Sequence, residues 1–144
     1  MNIFLDSGAF LALSDADDFH HQEAVSVYQD LLVGRARLFT SNYILAETYT
    51  LIRVKVSHAA AVAFMKTFGK TGTRVLRVEQ ETDETAERIF IKYADKTFSF
   101  VDCTSFALID KHRLDHVFTF DKHFLQCRFR HPVIILPSRL SLRA

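Results

Sequence analysis

Apolar residues along this chain come in two rhythms. Short unbroken runs at Asn2-Ile3-Phe4-Leu5, Arg37-Leu38-Phe39-Thr40, Arg74 to Val78, His116 to Thr119 and Val133 to Leu136 read as buried strands. Between them, apolar positions recur at helical spacing. A helix is expected from about Asp17, where Asp17 and Asp18 suit a start, to Gly34, which suits a stop. Ser41 or Asn42 caps another, with Ile44, Leu45, Thr48, Leu51, Ile52 and Lys55 on one face. Further helices are expected from about Ser57 to Phe68, closed by Gly69, from about Thr82 to Tyr93, and from Ser99 through Ile109. Lys122 to Leu125 makes a single helical turn, and Asp6-Ser7-Gly8 reads as a turn after the first strand.

Strands separated by helices pair in parallel through right-handed crossovers. The expected fold class is therefore α/β: a three-layer α/β/α sandwich around a mostly parallel sheet. It forms one domain over residues 1–144, with a basic tail from about 138. Pro132 and Pro137 bracket the final strand and suit an edge position. In such sheets the functional crevice lies beyond the carboxyl ends of the strands. The residues found there are Asp6 after the first strand, Glu47 in the helix after the second, Asp102 opening a later helix, and Asp121 after the fourth strand.

Each of these acids also suits a structural role. Asp6 fits a turn, Glu47 a helix face, Asp102 a capping box with Ser99, and Asp121 a cap on the short helix that follows. Their joint placement carries more. Four carboxylates on one rim repel one another unless protonated or neutralised, and no Lys or Arg adjoins Asp6, Glu47 or Asp102 in sequence. A divalent cation is the economical counter-charge, and all-oxygen ligation suits Mg²⁺ or Mn²⁺. Such a site activates water against a phosphodiester. Ser7 and Thr119 stand beside these acids, where they either bond locally in turns or orient ligands and water.

The motifs Leu5-Asp6-Ser7-Gly8-Ala9-Phe10, Ile44-Leu45-Ala46-Glu47-Thr48, Ser99-Phe100-Val101-Asp102-Cys103 and Thr119-Phe120-Asp121 resemble those of PIN domains, and more narrowly of VapC-like toxins. The resemblance runs over essentially the whole chain. It implies a Mg²⁺- or Mn²⁺-dependent endoribonuclease that cleaves single-stranded or loop RNA. Asp6 and Asp102 would be direct metal ligands, Glu47 and Asp121 would complete the pocket directly or through water, and Thr119 would match a hydroxyl that precedes the last acid. It further implies a homodimer inhibited by a small antitoxin. The basic tail past Pro137, with Arg139 and Arg143, falls outside the shared pattern.

Composition narrows the rest. The 144 residues carry 18 Lys plus Arg against 17 Asp plus Glu, so bulk charge does not drive polyanion binding. The charge is nonetheless segregated: residues 1–30 hold six acids and no Lys or Arg, whereas residues 31–78 hold eight bases and one acid. Arg35, Arg37, Arg53, Lys55, Lys66, Lys70, Arg128 and Arg130 offer contacts to an RNA backbone or a solvated surface. No secretory signal or membrane-length apolar run is apparent, and a cytoplasmic protein is expected. Two cysteines without CxxC spacing support neither a disulfide framework nor a thiolate zinc site, and Cys103 reads as a small buried residue.

Competing constellations are weaker. Gly69-Lys70-Thr71 lacks the upstream glycine of a phosphate-binding loop, since Phe64 stands there. His112, His116 and His123 invite a zinc site, but a helix end and a strand start separate the first two. His20 and His21 read as solvated helix-start residues, most Phe as core, and Phe98 and Phe100 as rings at the cleft mouth. A phospho-receiver-like domain needs adjacent acids after the first strand, where Ser7 follows Asp6. A non-catalytic metal-binding interaction module is the other alternative.

Overall fold

The structure, a computed structural model, describes residues 1–137. Five strands, β1 (Asn2–Leu5), β2 (Arg37–Ser41), β3 (Arg74–Leu76), β4 (His116–Phe118) and β5 (Ile134–Leu136), form one parallel sheet in the order β3-β2-β1-β4-β5. Seven helices intervene: α1 (Ser7–Ser14), α2 (His21–Val33), α3 (Asn42–Lys55), α4 (His58–Phe68), α5 (Gln80–Lys92), α6 (Phe100–Lys111) and α7 (His123–Gln126). The chain steps outward from β1 to β2 to β3, then crosses back over the sheet to β4 and β5. Right-handed crossovers in opposite directions place helices on opposite faces, which makes the three-layer α/β/α fold. They also create a switch point between β1 and β4, the place where such sheets bind ligands.

Local sequence explains most boundaries. Ser41 and Ser57 cap α3 and α4 by accepting from Ile44 N and Ala60 N, at 3.0 Å each. Gly34 and Gly69 follow the last turns of α2 and α4. β5 lies on the sheet edge, as its flanking prolines suggest.

Three expectations need correcting. Asp6-Ser7-Gly8 is not a turn: helix α1 begins directly after β1, with Asp6 as its N-cap. Asp17 and Asp18 do not open a helix, because α2 starts at His21 and both acids lie in the preceding turn. There Asp18 Oδ1 accepts His20 N–H at 2.8 Å. Lys55 is exposed rather than on the buried face of α3. The expectations for the tail from about 138, with Arg139 and Arg143, lie outside the described residues.

The core joins β1 and β4 to α1, α5 and α6, with Phe4, Phe106, Phe118 and Phe124 fully buried. Residues Asp102 to Ile109 of α6 are all buried, so α6 is a central helix whose first turn meets the sheet's carboxyl edge. Among the described residues no helix is long and apolar enough to cross a membrane.

Candidate metal centre at the sheet switch point

Asp6 follows the last residue of β1, and its N–H donates to Phe118 O of β4 at 3.1 Å. Although it is the N-cap of α1, its side chain makes no capping bond. The carboxylate turns instead to Thr119, whose Oγ1 donates to Asp6 Oδ2 at 2.9 Å and accepts Asp121 N–H at 2.9 Å. One hydroxyl therefore sets the position of two acids. Asp6 is 4% exposed, and burial pushes its carboxyl up to about 7, with the negative charges of Asp102 and Asp121 adding to the rise. Bonds from Thr119 and the Ser7 backbone oppose it.

Asp102 sits in the first turn of α6 inside a complete capping box. Ser99 Oγ accepts Asp102 N–H and Asp102 Oδ2 accepts Ser99 N–H, both at 3.0 Å. The same Oδ2 lies 2.9 Å from His123 Nδ1. Burial holds the Asp102 carboxyl above its usual range, the Ser99 and His123 bonds pull it down, and Asp121 pushes it up. The structural and chemical readings of this residue are thus simultaneous: the cap aims the carboxylate. Asp121 likewise accepts His123 N–H at 2.9 Å while its Oδ1 lies 3.4 Å from His123 Nδ1.

Glu47 stands on α3 and accepts a hydrogen bond from the Oγ of Ser7, the residue next to Asp6. It borders an open groove of about 430 Å³ lined by Tyr43, Ala46, Thr50, Leu51 and Val101. Ser7 thus bonds a residue 40 positions away, and Thr119 does both things expected of it: it accepts locally from Asp121 N–H and donates to Asp6, 113 residues away.

His123 is the residue that sequence reasoning set aside. Its ring approaches Asp102 and Asp121 so closely that one ligand atom from each of the three lies within 4.8 Å of the others. His112 and His116 take no part; they lie on α6's C-cap and on β4. His123 Nε2 lies 3.1 Å from Thr97 Oγ1, and the ring packs edge-on against Phe98 at 5.4 Å. Phe98 is accordingly buried against Phe106 and Tyr93, not placed at a cleft mouth, whereas Phe100 is partly exposed beside Phe90. His20 and His21 do stand at the start of α2, as its N-cap and first residue, but neither is simply solvated: His20 stacks on Phe120 at 4.2 Å, and His21 Nδ1 lies 2.7 Å from Ala12 O. Cys103 is buried, with its thiol pushed up to about 11 by burial and then by Asp102.

Among the described residues, no Lys or Arg forms an ion pair with Asp6, Glu47, Asp102 or Asp121. Three mutually repelling carboxylates, supplied with hydrogen-bond donors but no permanent cation, fit a divalent metal ion. The PIN domain family model matches residues 3–129, a span that contains all four acids. The chain belongs to the PIN domain family.

This PIN domain is 32% identical over 127 residues to the 23S rRNA-specific endonuclease VapC20 of Mycobacterium tuberculosis, covering 88% of the chain and 95% of that protein. The crystal structure of VapC20, described as a sarcin-ricin loop cleaving toxin, matches with a TM-score of 0.78. A VapC ribonuclease of Archaeoglobus fulgidus is 28% identical over 127 residues, covering 86% of the chain and 80% of that protein. VapBC2 of Rickettsia felis, solved on a promoter DNA fragment, shares the fold at a TM-score of 0.67 with 9% identity, over 94% of this chain and 97% of that one. The PIN domain is thus VapC-like, and a phospho-receiver architecture is set aside.

Proposed function

We propose that this PIN domain is a divalent-metal-dependent endoribonuclease acting as the toxin of a toxin-antitoxin pair, with RNA as substrate. The observation that carries this reading is the convergence of Asp6, Asp102 and Asp121, with which no Lys or Arg among the described residues forms an ion pair. Asp6 and Asp102 hold the ion directly, and Glu47 and Asp121 act directly or through water. Mg²⁺ or Mn²⁺ suits this oxygen-rich set. When bound, such an ion polarises phosphoryl oxygens and lowers the pKa of water.

The chain's own residues supply orientation. Thr119 fixes the Asp6 carboxylate, and the Ser99 cap and His123 fix that of Asp102. Ser7 aims Glu47 along the open edge, where an attacking water or a phosphate oxygen is accessible. The kinship with VapC20 supports a loop in structured RNA as the target class, and kinship with VapC proteins supports a small antitoxin partner and a homodimer. Purified protein should cleave RNA with Mg²⁺ or Mn²⁺ and stop on chelation. Asp6→Asn and Asp102→Asn should each lower kcat at least ~100-fold while circular dichroism stays native. Full cleavage by either folded variant would exclude the proposed centre.

A further inference from the structure

Away from the acids, helices α5 and α6 and the segment from Cys127 to Arg130 enclose a cleft of about 510 Å³. Arg88 and Lys92 of α5, Lys111 at the end of α6, and Arg128 and Arg130 all line it. Residues 79–95 are acidic overall, with six acids and two bases. Both of those bases face the cleft, whereas of the six acids only Glu81 lines it. Charge is thus sorted by face on this helix.

Among the described residues, only Lys111 of the five cations has a carboxylate partner, Glu81 at 3.8 Å. Asp110, the other acid at the cleft, is already engaged: its Oδ1 accepts Arg130 N–H at 2.9 Å and lies 3.5 Å from His131 Nδ1. Arg128 N–H donates to Tyr93 Oη at 3.1 Å. The segment is therefore pinned through its backbone, which leaves both guanidinium groups uncommitted. Arg88 Nη2 donates to the neutral Thr85 Oγ1, and Lys92 lies 5.5 Å from the Tyr93 ring centroid.

Like charges gathered around a concavity repel one another, and a polyanion relieves that repulsion. We propose that this cleft is a second RNA-contact site that grips backbone phosphates of the strand being cut. The proposal rests on the reading of this chain as a ribonuclease. Helix α6 links the two places, with Asp102 in its first turn and Lys111 in its last. At the helical rise these are about 14 Å apart, within reach of a few nucleotides of one strand.

The double variant Arg128→Ala/Arg130→Ala keeps the main-chain bonds that pin the segment, and its thermal unfolding should match the wild type. Two RNAs separate the roles: a long substrate, and a short oligonucleotide spanning only its mapped cleavage site. The variant should raise KM for the long RNA about tenfold and reduce the salt slope of its binding by about 1.4, the counterion release of two single-strand contacts. KM for the short oligonucleotide, and kcat on both, should stay unchanged. Equal effects on both RNAs, or none on the long one, would overturn the second site. If the wild type cut neither RNA, the nuclease reading would fail on its own. Fluorescence anisotropy of the labelled long RNA in chelator would then still decide the cleft: weaker binding by the variant supports it and unchanged binding overturns it.

Discussion

A carboxylic acid that burial pushes up to about 7, against the bonds from a hydroxyl and a backbone N–H, is costly to ionise, and Asp6 is such a group. Its folded value lies above the ordinary 3.8, so the folded state binds the extra proton. The associated stability is present in full below about pH 4 and is lost as pH rises through 7. In chelator, the protein should therefore be more stable at pH 5.5 than at pH 8 by about 2 kcal/mol, read as a higher melting temperature at the lower pH. Asp6→Asn should flatten that dependence, and adding Mg²⁺ or Mn²⁺ at pH 8 should restore stability. A flat wild-type profile would argue against a strained acid cluster. Asp6, Asp102 and Asp121 were legible in the sequence because each follows a strand or opens a helix, and Glu47 because it stands in the helix that follows β2. His123 was not, because the spacing test asked whether histidines share a helical face, whereas its partners Asp102 and Asp121 come from α6 and from the loop after β4. Ser7 and Thr119 were noticed as neighbours of acids, and the local bond from Asp121 N–H to Thr119 fits a turn, but the bonds to Glu47 and Asp6 are set by tertiary structure.

At the scale of elements, helix ends do the aiming. The Ser99 capping box satisfies the first turn of α6 and simultaneously orients Asp102. Ser99→Ala should cost about 1 kcal/mol of stability, measured by urea unfolding. It should also weaken activity by ~10-fold or more, since the Asp102 carboxylate loses the frame that fixes it. A stability loss with unchanged activity would separate the cap from the chemistry. Most elements were readable because their apolar faces or caps are periodic, as with Ser41 and α3. Helix α1 escaped because Ser7, Ala9, Phe10, Leu11 and Ala12 are all buried. A helix covered nearly all round shows no amphipathic rhythm, and the Asp-Ser-Gly at its start imitates a turn. Phe98 was misplaced for a related reason: proximity to Asp102 in sequence does not say which way a ring points.

For the whole molecule, the order β3-β2-β1-β4-β5 and the burial of α6 make the core and the site a single construction. Phe106 is fully buried and meets Phe98, Phe124 and Phe129 edge-on, joining α6 to the segments on either side of the acids. Phe106→Ala should cost about 3–5 kcal/mol in urea unfolding, and loss of activity should track loss of fold. The three-layer architecture was legible from alternation of strands and helices, whereas the sorting of charge on α5 emerged only once α5 was docked on α6. One consequence concerns the order in which the chain is made. β1 is made before its partner β4, and the hydroxyl of Thr119 arrives more than a hundred residues after Asp6. A nascent chain that has not yet produced residues 116–121 carries Asp6 without its hydrogen-bond donor and without Asp121. The acid cluster therefore assembles only after residues 116–121 have been made, and fragments released before then lack it.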